Sequence, residues 1–410
     1  MWDAKVLKAR EDLTDADKYC HFNNAGASPM PAPVVQAVKQ VLDSEHLLGG
    51  YEAQELYEKD IQNLYSSIGR LLNAPHPTKE IALVDSATTA WVKAFYSVPL
   101  SAGDVILVSK VEYAANMVAI LQQSRRVGAS IVYIPSDEHG CVCLKALESI
   151  LNSTPSIKLV CITWIPTNGG VVNDAARIGQ LVAQHSEVLY LLDACQAVGH
   201  IKVDVQVLGC HMLAATGRKY LRGPRGTGFL YISEKTLSMV HEPATIDHLA
   251  APWVELGAYA VQPSARRYEQ WEKNISGLVG LGVAIDYYLD EASVGVEWAE
   301  QRVRGLATKL RWTIDRSLPN ITLYDLGDSA VASTQCGIVS FSVNGVSASA
   351  VKKILRDHSI FVSVSSPAST LIDASARSLP DVVRASVHYF NTELEIFLIC
   401  DVLRDIINAV

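Results

Sequence analysis

No stretch of the sequence approaches the roughly 18 consecutive apolar residues that a membrane-crossing helix needs, so no transmembrane segment is expected. The charged stretch from Met1 to Lys18 lacks the apolar core of a secretory signal. There is no long basic run, and 43 acidic residues outnumber 35 basic ones, which argues against a nucleic-acid or membrane partner. Cysteine is sparse and scattered. Of the eight, only Cys141 and Cys143 lie close together, and no C-x-x-C occurs. A disulfide framework or a metal site is therefore not expected, and a reducing cytoplasm fits the thiol usage. Repeats and low-complexity segments are also missing, which excludes solenoids and disordered tails.

What is present is an ordinary globular composition, 49% hydrophobic and 19% charged. At 410 residues the chain exceeds one simple core and predicts two domains. Short apolar runs alternate with amphipathic stretches, the pattern of an α/β fold with a mostly parallel, mixed sheet. Strands are expected at 81–84, 104–109, 130–134, 158–163, 188–192 and 212–215, with 229–232 running antiparallel. Helices are expected near 88–98, 114–125 and 144–151. From about Val294 the texture changes. A long amphipathic stretch to Leu318 precedes strands at 337–343, 361–364 and 384–388, a helix at 348–357 and a last helix from Glu393. This predicts a smaller C-terminal α+β domain.

Ligands of open α/β sheets bind beyond the carboxyl ends of strands, so residues following the apolar runs are the candidates. Asp193 ends the run Val188–Leu192. A carboxylate there is costly without a partner; it reads either as a cap for the next segment or as the partner of a protonated heterocycle. Lys219 follows the run Met212–Ala215 and precedes the glycine-rich Gly223–Gly228. Most lysines are solvated surface charges, but an amine at a strand end facing a cleft forms an imine with an aldehyde when neutral. The glycines alone suggest only a tight turn. They precede a strand-like run rather than a helix, which argues against a nucleotide-binding loop. Ser86-Ala87-Thr88-Thr89 lies between a strand and a helix. Alone it is a plain N-cap, and it also suits a phosphate.

Taken together these segments resemble the class V aminotransferase-like enzymes that depend on pyridoxal 5′-phosphate (PLP). Asp193-Ala194-Cys195-Gln196-Ala197-Val198-Gly199 resembles their D-A-x-Q-x-x-G element. Thr216-Gly217-Arg218-Lys219, followed by Gly223-Pro224-Arg225-Gly226, resembles S/T-x-H/R-K…G-P-x-G, and Asn23-Asn24-Ala25-Gly26 resembles the opening strand and turn. The likeness runs from about Tyr19 to Glu395. It implies the PLP-dependent transferase fold type I, with an N-terminal segment at 1–30 contributing to the active site. A large PLP-binding domain would span 31–290 and a small domain 291–410.

It also implies roles. Lys219 carries the cofactor as a Schiff base and Asp193 keeps the pyridine nitrogen protonated. Ala87 and Thr88 bind the phosphate, Tyr113 stacks on the ring, and Thr167 and Gln196 lie near the ring oxygen. Thr216 and Arg218 make further phosphate or ring contacts. Asn24, Ala25 and Arg384 bind the substrate, Arg384 through its carboxylate. The family is typically homodimeric, with a partner loop completing the phosphate site. The Arg266-Arg267-Tyr268-Glu269 stretch resembles its R-F-E segment, but Gln270-Trp271-Glu272 comes next where many relatives have G-T. A glutamate there would repel a phosphate and is expected to point elsewhere.

The reaction is read from one further departure. Cysteine desulfurases of this family carry a sulfur-accepting cysteine in a loop before the carboxylate-binding arginine. Here that region, Val362–Thr370, holds serines and no cysteine. A serine hydroxyl does not accept sulfur as a thiolate does. The expectation is therefore a β-eliminating C–S lyase acting on a cysteine-derived substrate or sulfoxide, of the kind found in ergothioneine-type thiol metabolism. A persulfide-forming desulfurase is rejected. A class V aminotransferase or an amino-acid epimerase is the alternative, and a non-catalytic relative of the fold a further one.

Overall fold

A computed structural model describes residues 3–324 and 334–409. Its larger sheet has seven strands: β1 (Ile81–Val84), β2 (Val105–Ser109), β3 (Ser130–Ile134), β4 (Ile157–Thr163), β5 (Leu189–Asp193), β6 (Met212–Thr216) and β7 (Gly228–Ile232). They lie in the order β1-β7-β6-β5-β4-β2-β3. The run from β6 to β3 is parallel, and β7 is antiparallel to both β6 and β1. The central strands read as unbroken apolar runs because both faces are buried, and β2, β5, β6 and β7 are buried at every position. Buried residues on one face belong to the main core with Ile162, Leu192 and Leu213. Those on the other pack with Cys161, Leu191 and Met212 around Trp91 and Phe95.

The strand predictions hold within one or two residues, with one shift that matters: the strand expected at 384–388 runs Val382–Ser386, so Arg384 sits at its middle. That strand (β11) belongs to a second, antiparallel sheet with β8 (Ile321–Leu323), β9 (Ile338–Val343) and β10 (Ser363–Ser365), in the order β8-β9-β11-β10. Helices Val296–Ser317 and Ala348–Asp357 pack on this sheet, and Glu393–Asn408 packs on both helices. The last starts with a capping box in which Thr392 and Glu395 satisfy each other's backbone amides. The sequence expectations leave out α1 (Ala32–Leu48), α2 (Gly50–Leu72) and the later helix Ile275–Leu289, which pack on one another beside the larger sheet.

Two glycines permit close backbone approaches around the carboxyl end of the larger sheet. Gly199 has φ +81°, and a Cβ there would lie 2.5 Å from the backbone of Tyr220 and Leu221. The final glycine of D-A-x-Q-x-x-G thus lets the segment after β5 touch the chain just beyond Lys219. A Cβ on Gly228 would lie 2.7 Å from the Ser86 carbonyl carbon, so β7 can pass beneath the start of helix α3 (Ala87–Ser97) only as glycine.

Candidate active site

The carboxyl ends of β2, β4, β5 and β6 open on one cavity. Ala87, Thr88, Tyr113, Thr167, Asp193, Gln196 and Lys219, distant in sequence, all line it. The other predicted residues lie around this group. Thr216 Oγ1 donates to the Thr227 carbonyl at 3.1 Å, and Arg218 donates to the Gly26 carbonyl. The Asn24 amide nitrogen bonds the Ser386 carbonyl at 2.8 Å, and the Ala25 carbonyl accepts from Gln196 Nε2 at 3.1 Å. Asn24 and Ala25 therefore dock the N-terminal segment against β11 and Gln196.

Asp193 is the last residue of β5, paired with Thr163 at the end of β4. Its carboxylate accepts from the Cys195 amide at 2.9 Å and from Asn116 Nδ2 at 2.7 Å, both neutral donors. Burial pushes this carboxyl up from the ordinary value; the Asn116 and Cys195 hydrogen bonds and the Lys219 charge pull it back. A cationic heterocycle placed here would relieve that cost.

The phosphate end is built on helix α3. Ser86 Oγ accepts from the Thr89 amide at 3.1 Å, and helix geometry leaves the other first-turn amides without intrahelical partners. Gln196 Oε1 is buried with no hydrogen-bond partner among the described residues. An orphan acceptor, a buried carboxylate, a helix N-terminus and a lysine amine thus face one space. They fit a phosphorylated, hydroxylated pyridine aldehyde. Tyr113, more than a third exposed, lines the cavity from the start of helix α4 (Ala114–Val127).

Arg384 does not line this cavity itself. Its guanidinium is buried and donates to Thr167 Oγ1, to the Thr167 carbonyl at 3.4 Å, and through Nε to Ser363 Oγ at 3.1 Å. Burial pushes its pKa down from the ordinary value, which marks a cation lacking a carboxylate. Asn168, next to Thr167, accepts from Ser365 Oγ and donates to the Ser366 carbonyl at 3.2 Å and Thr370 Oγ1 at 3.1 Å. The serine-rich segment is fastened there to the larger sheet's loops.

Four cavity residues are not among the sequence candidates: Asn116, Thr163, Ile165 and Cys195. Asn116 was legible in principle, because Glu112 and Asn116 stand four apart across a helix start that directly follows a strand. Glu269, in the stretch resembling R-F-E, is a buried acceptor for Tyr65 Oη at 2.7 Å and the Leu83 amide at 3.1 Å, and pairs with Lys273. Glu272 is exposed and lines a different cavity, with Lys93, Asp85 and Thr89.

Comparison with known proteins matches residues 20–398 to the family model "Aminotransferase class-V". The chain belongs to the class V aminotransferase family. A probable cysteine desulfurase from Methanothermobacter thermautotrophicus is 28% identical over 404 residues, 97% of each chain. The apo structure of a cysteine desulfurase from Thermococcus onnurineus superposes with a TM-score of 0.88 at 22% identity, covering 98% of each chain. A mutant of C-DES with glycine covalently linked to its PLP cofactor gives 0.83 at 21%, covering 97% of this chain and 99% of that one. The fold is the PLP-dependent fold type I, and the cofactor is pyridoxal 5′-phosphate.

These likenesses correct the expected reaction. The C–S lyase expectation and the rejection of a persulfide-forming desulfurase rested on the absence of cysteine from 362–370. Relatives matched end to end carry the name cysteine desulfurase, and the lyase expectation, with its transaminase, epimerase and non-catalytic alternatives, gives way. The absence of cysteine from 362–370 does not exclude persulfide formation, because the acceptor thiol need not come from that loop. A thiol from another molecule takes sulfur equally well.

Proposed function

We propose that this protein is a PLP-dependent cysteine desulfurase that removes the sulfur of cysteine to a thiol acceptor and leaves alanine. The observation that carries the reading is the convergence of Lys219, Asp193 and Gln196 on one cavity with the buried guanidinium of Arg384 behind it, in a chain whose full-length relatives are named for that activity. The balance is cysteine plus a thiol giving alanine plus a persulfide. The C–S bond breaks and an S–S bond forms; of the two thiol hydrogens one stays on the persulfide and one is made up at Cβ, and the proton taken from Cα is returned to it.

When bound, PLP supplies an aldehyde for the substrate amine and a ring that withdraws electrons from it. The residues of the chain do the rest. Lys219 would hold the cofactor, and its amine would take the proton from the substrate Cα. Asp193 holds a proton on the ring nitrogen. Ala87 and Thr88 bind the phosphate, Tyr113 covers the ring face, and Gln196 donates to or accepts from the ring oxygen. Thr216 and Arg218 brace this wall through Thr227 and Gly26, and Asn24 and Ala25 close its edge. Arg384 takes the substrate carboxylate, exchanging its Thr167 contacts for a bidentate one.

The division into 1–30, 31–290 and 291–410 is part of the same reading, supported by the two separate sheets. So is a homodimer. The hairpin of Trp253–Glu255 with Ala258–Tyr259 exposes Trp253, Leu256 and Tyr259, and α1–α2 exposes Leu47, Tyr51 and Leu56. A cytoplasmic site is supported by eight free thiols; no helix among the described residues is long and apolar enough to cross a membrane.

The test is product analysis with L-cysteine and dithiothreitol, with no keto acid added. Alanine and sulfide in equal amounts support the reading. Pyruvate and ammonia in place of alanine would refute it.

A further inference from the structure

The wall behind Asp193 holds a second buried carboxylate. Glu112 lies between β2 and α4 and is 2% exposed. It accepts from the Thr163 amide at 3.0 Å, Thr163 Oγ1 at 2.6 Å, the Tyr113 amide at 3.2 Å and Asn116 Nδ2 at 2.8 Å. Asn116 Nδ2 is also the donor to Asp193 at 2.7 Å. One amide nitrogen therefore bridges two carboxylates and spends both its hydrogens doing so. We propose that Glu112 and Asn116 are positioning residues, which hold the Asp193 carboxylate in the orientation that receives the cofactor's ring nitrogen. The inference rests on the assignment of Asp193 to that nitrogen.

The geometry gives each residue a separate task. An asparagine amide has an accepting end and a donating end of nearly equal shape. Facing Asp193 alone, the donating end is preferred. Facing two carboxylates at once, the accepting end is repelled from both sides, so Glu112 removes the flipped state. Glu112 is itself locked, because the Thr163 amide and hydroxyl come from the end of β4, which is in register with Asp193 on β5. The start of α4 and the ends of β4 and β5 are thus tied through one carboxylate. Asn116 and the Cys195 amide take one lone pair on each Asp193 oxygen. The remaining acceptor capacity faces the cavity.

Burial pushes the Glu112 carboxyl up to about 7, the Thr163 and Asn116 hydrogen bonds oppose this, and the neighbouring Asp193 charge adds to it. An isosteric Glu112→Gln places an NH₂ group where only donors converge, so it disturbs the pattern of hydrogen-bond signs and not the packing.

The experiment uses holoenzyme loaded with PLP labelled with ¹⁵N in the ring. The ¹⁵N chemical shift reports whether the nitrogen is protonated, which a merely structural residue would not alter in a folded protein. Glu112→Gln and Asn116→Ala should each move the shift toward the neutral form and weaken PLP binding about tenfold, as expected for a lost hydrogen bond to a charged group. Asp193→Ala should move it fully. If Glu112→Gln does not fold, Asn116→Ala decides, since it leaves Glu112 its other donors. A wild-type shift in folded Glu112→Gln or Asn116→Ala, with Asp193→Ala moved, would overturn the positioning role and leave Asp193 standing. An unmoved shift in Asp193→Ala would instead overturn the Asp193 assignment itself.

Discussion

The cavity has two unlike walls. On the cofactor side, functional groups stand at strand ends whose register is set by a fully buried sheet, and their partners are amides and side chains in fixed places: Asp193 on Cys195 and Asn116, Glu112 on Thr163. On the other side, Arg384 rests on hydroxyls, Thr167 and Ser363, and the serine-rich segment is held by its pairing with β11 and by the side chain of Asn168. Apart from Gln270–Glu272, the first wall resembles the family motifs, whereas the second departs from them at 362–370. A rigid sheet edge preserves cofactor geometry, while a wall of short polar side chains on loops is where substrate handling can change.

If that contrast is right, substitutions should separate by wall. The largest effect belongs to the cofactor side. Lys219→Ala should lose turnover entirely, together with the visible absorbance of lysine-linked cofactor. A purified variant that keeps the band with no amine added would break the comparison at its root. Arg384→Ala should leave that band unchanged and raise KM for cysteine about 10- to 100-fold, the loss of a charge-assisted hydrogen bond. Loss of PLP from this variant would place Arg384 on the wrong wall.

The smallest effect is a pH dependence. The Glu112 carboxyl titrates near 7 when folded, against 4.5 as a free side chain. The folded protein therefore takes up this proton before the unfolded chain does. Its stability contribution is fully present below about 4.5 and is lost as pH rises through about 7. The thermal midpoint of the apoprotein minus that of Glu112→Gln should rise by about 2 °C between pH 8 and pH 5. A difference independent of pH would mean that Glu112 does not titrate in this range. Buried His200, pushed down to about 3, acts in the opposite sense, losing its contribution as pH falls, so the subtraction and not the raw midpoint is the measure.

The same contrast decides what could be read without coordinates. Asp193, Lys219 and the start of α3 come after apolar runs that are buried on both faces, so their places at strand ends were legible from hydrophobicity alone. Arg384 is recognisable only by resemblance, and the sequence pattern puts its strand two residues late, because the arginine and serine interrupt the apolar run although β11 is buried at every position. The spacing of Asn116 from Glu112 is local and legible, but its bond to Asp193 is not, because that depends on the long-range placing of β5 beside β4. The sulfur acceptor was misjudged for a related reason. The side chains of 362–370 do not by themselves define the reaction, because nothing requires the acceptor thiol to come from that segment.

The most direct measurement on the central claim is to reduce the holoenzyme with borohydride, digest it and locate the pyridoxyl group by mass spectrometry. The account predicts a single modified peptide with the label on Lys219. A label on another lysine, such as the buried Lys93 within α3, or an unlabelled protein, would contradict it.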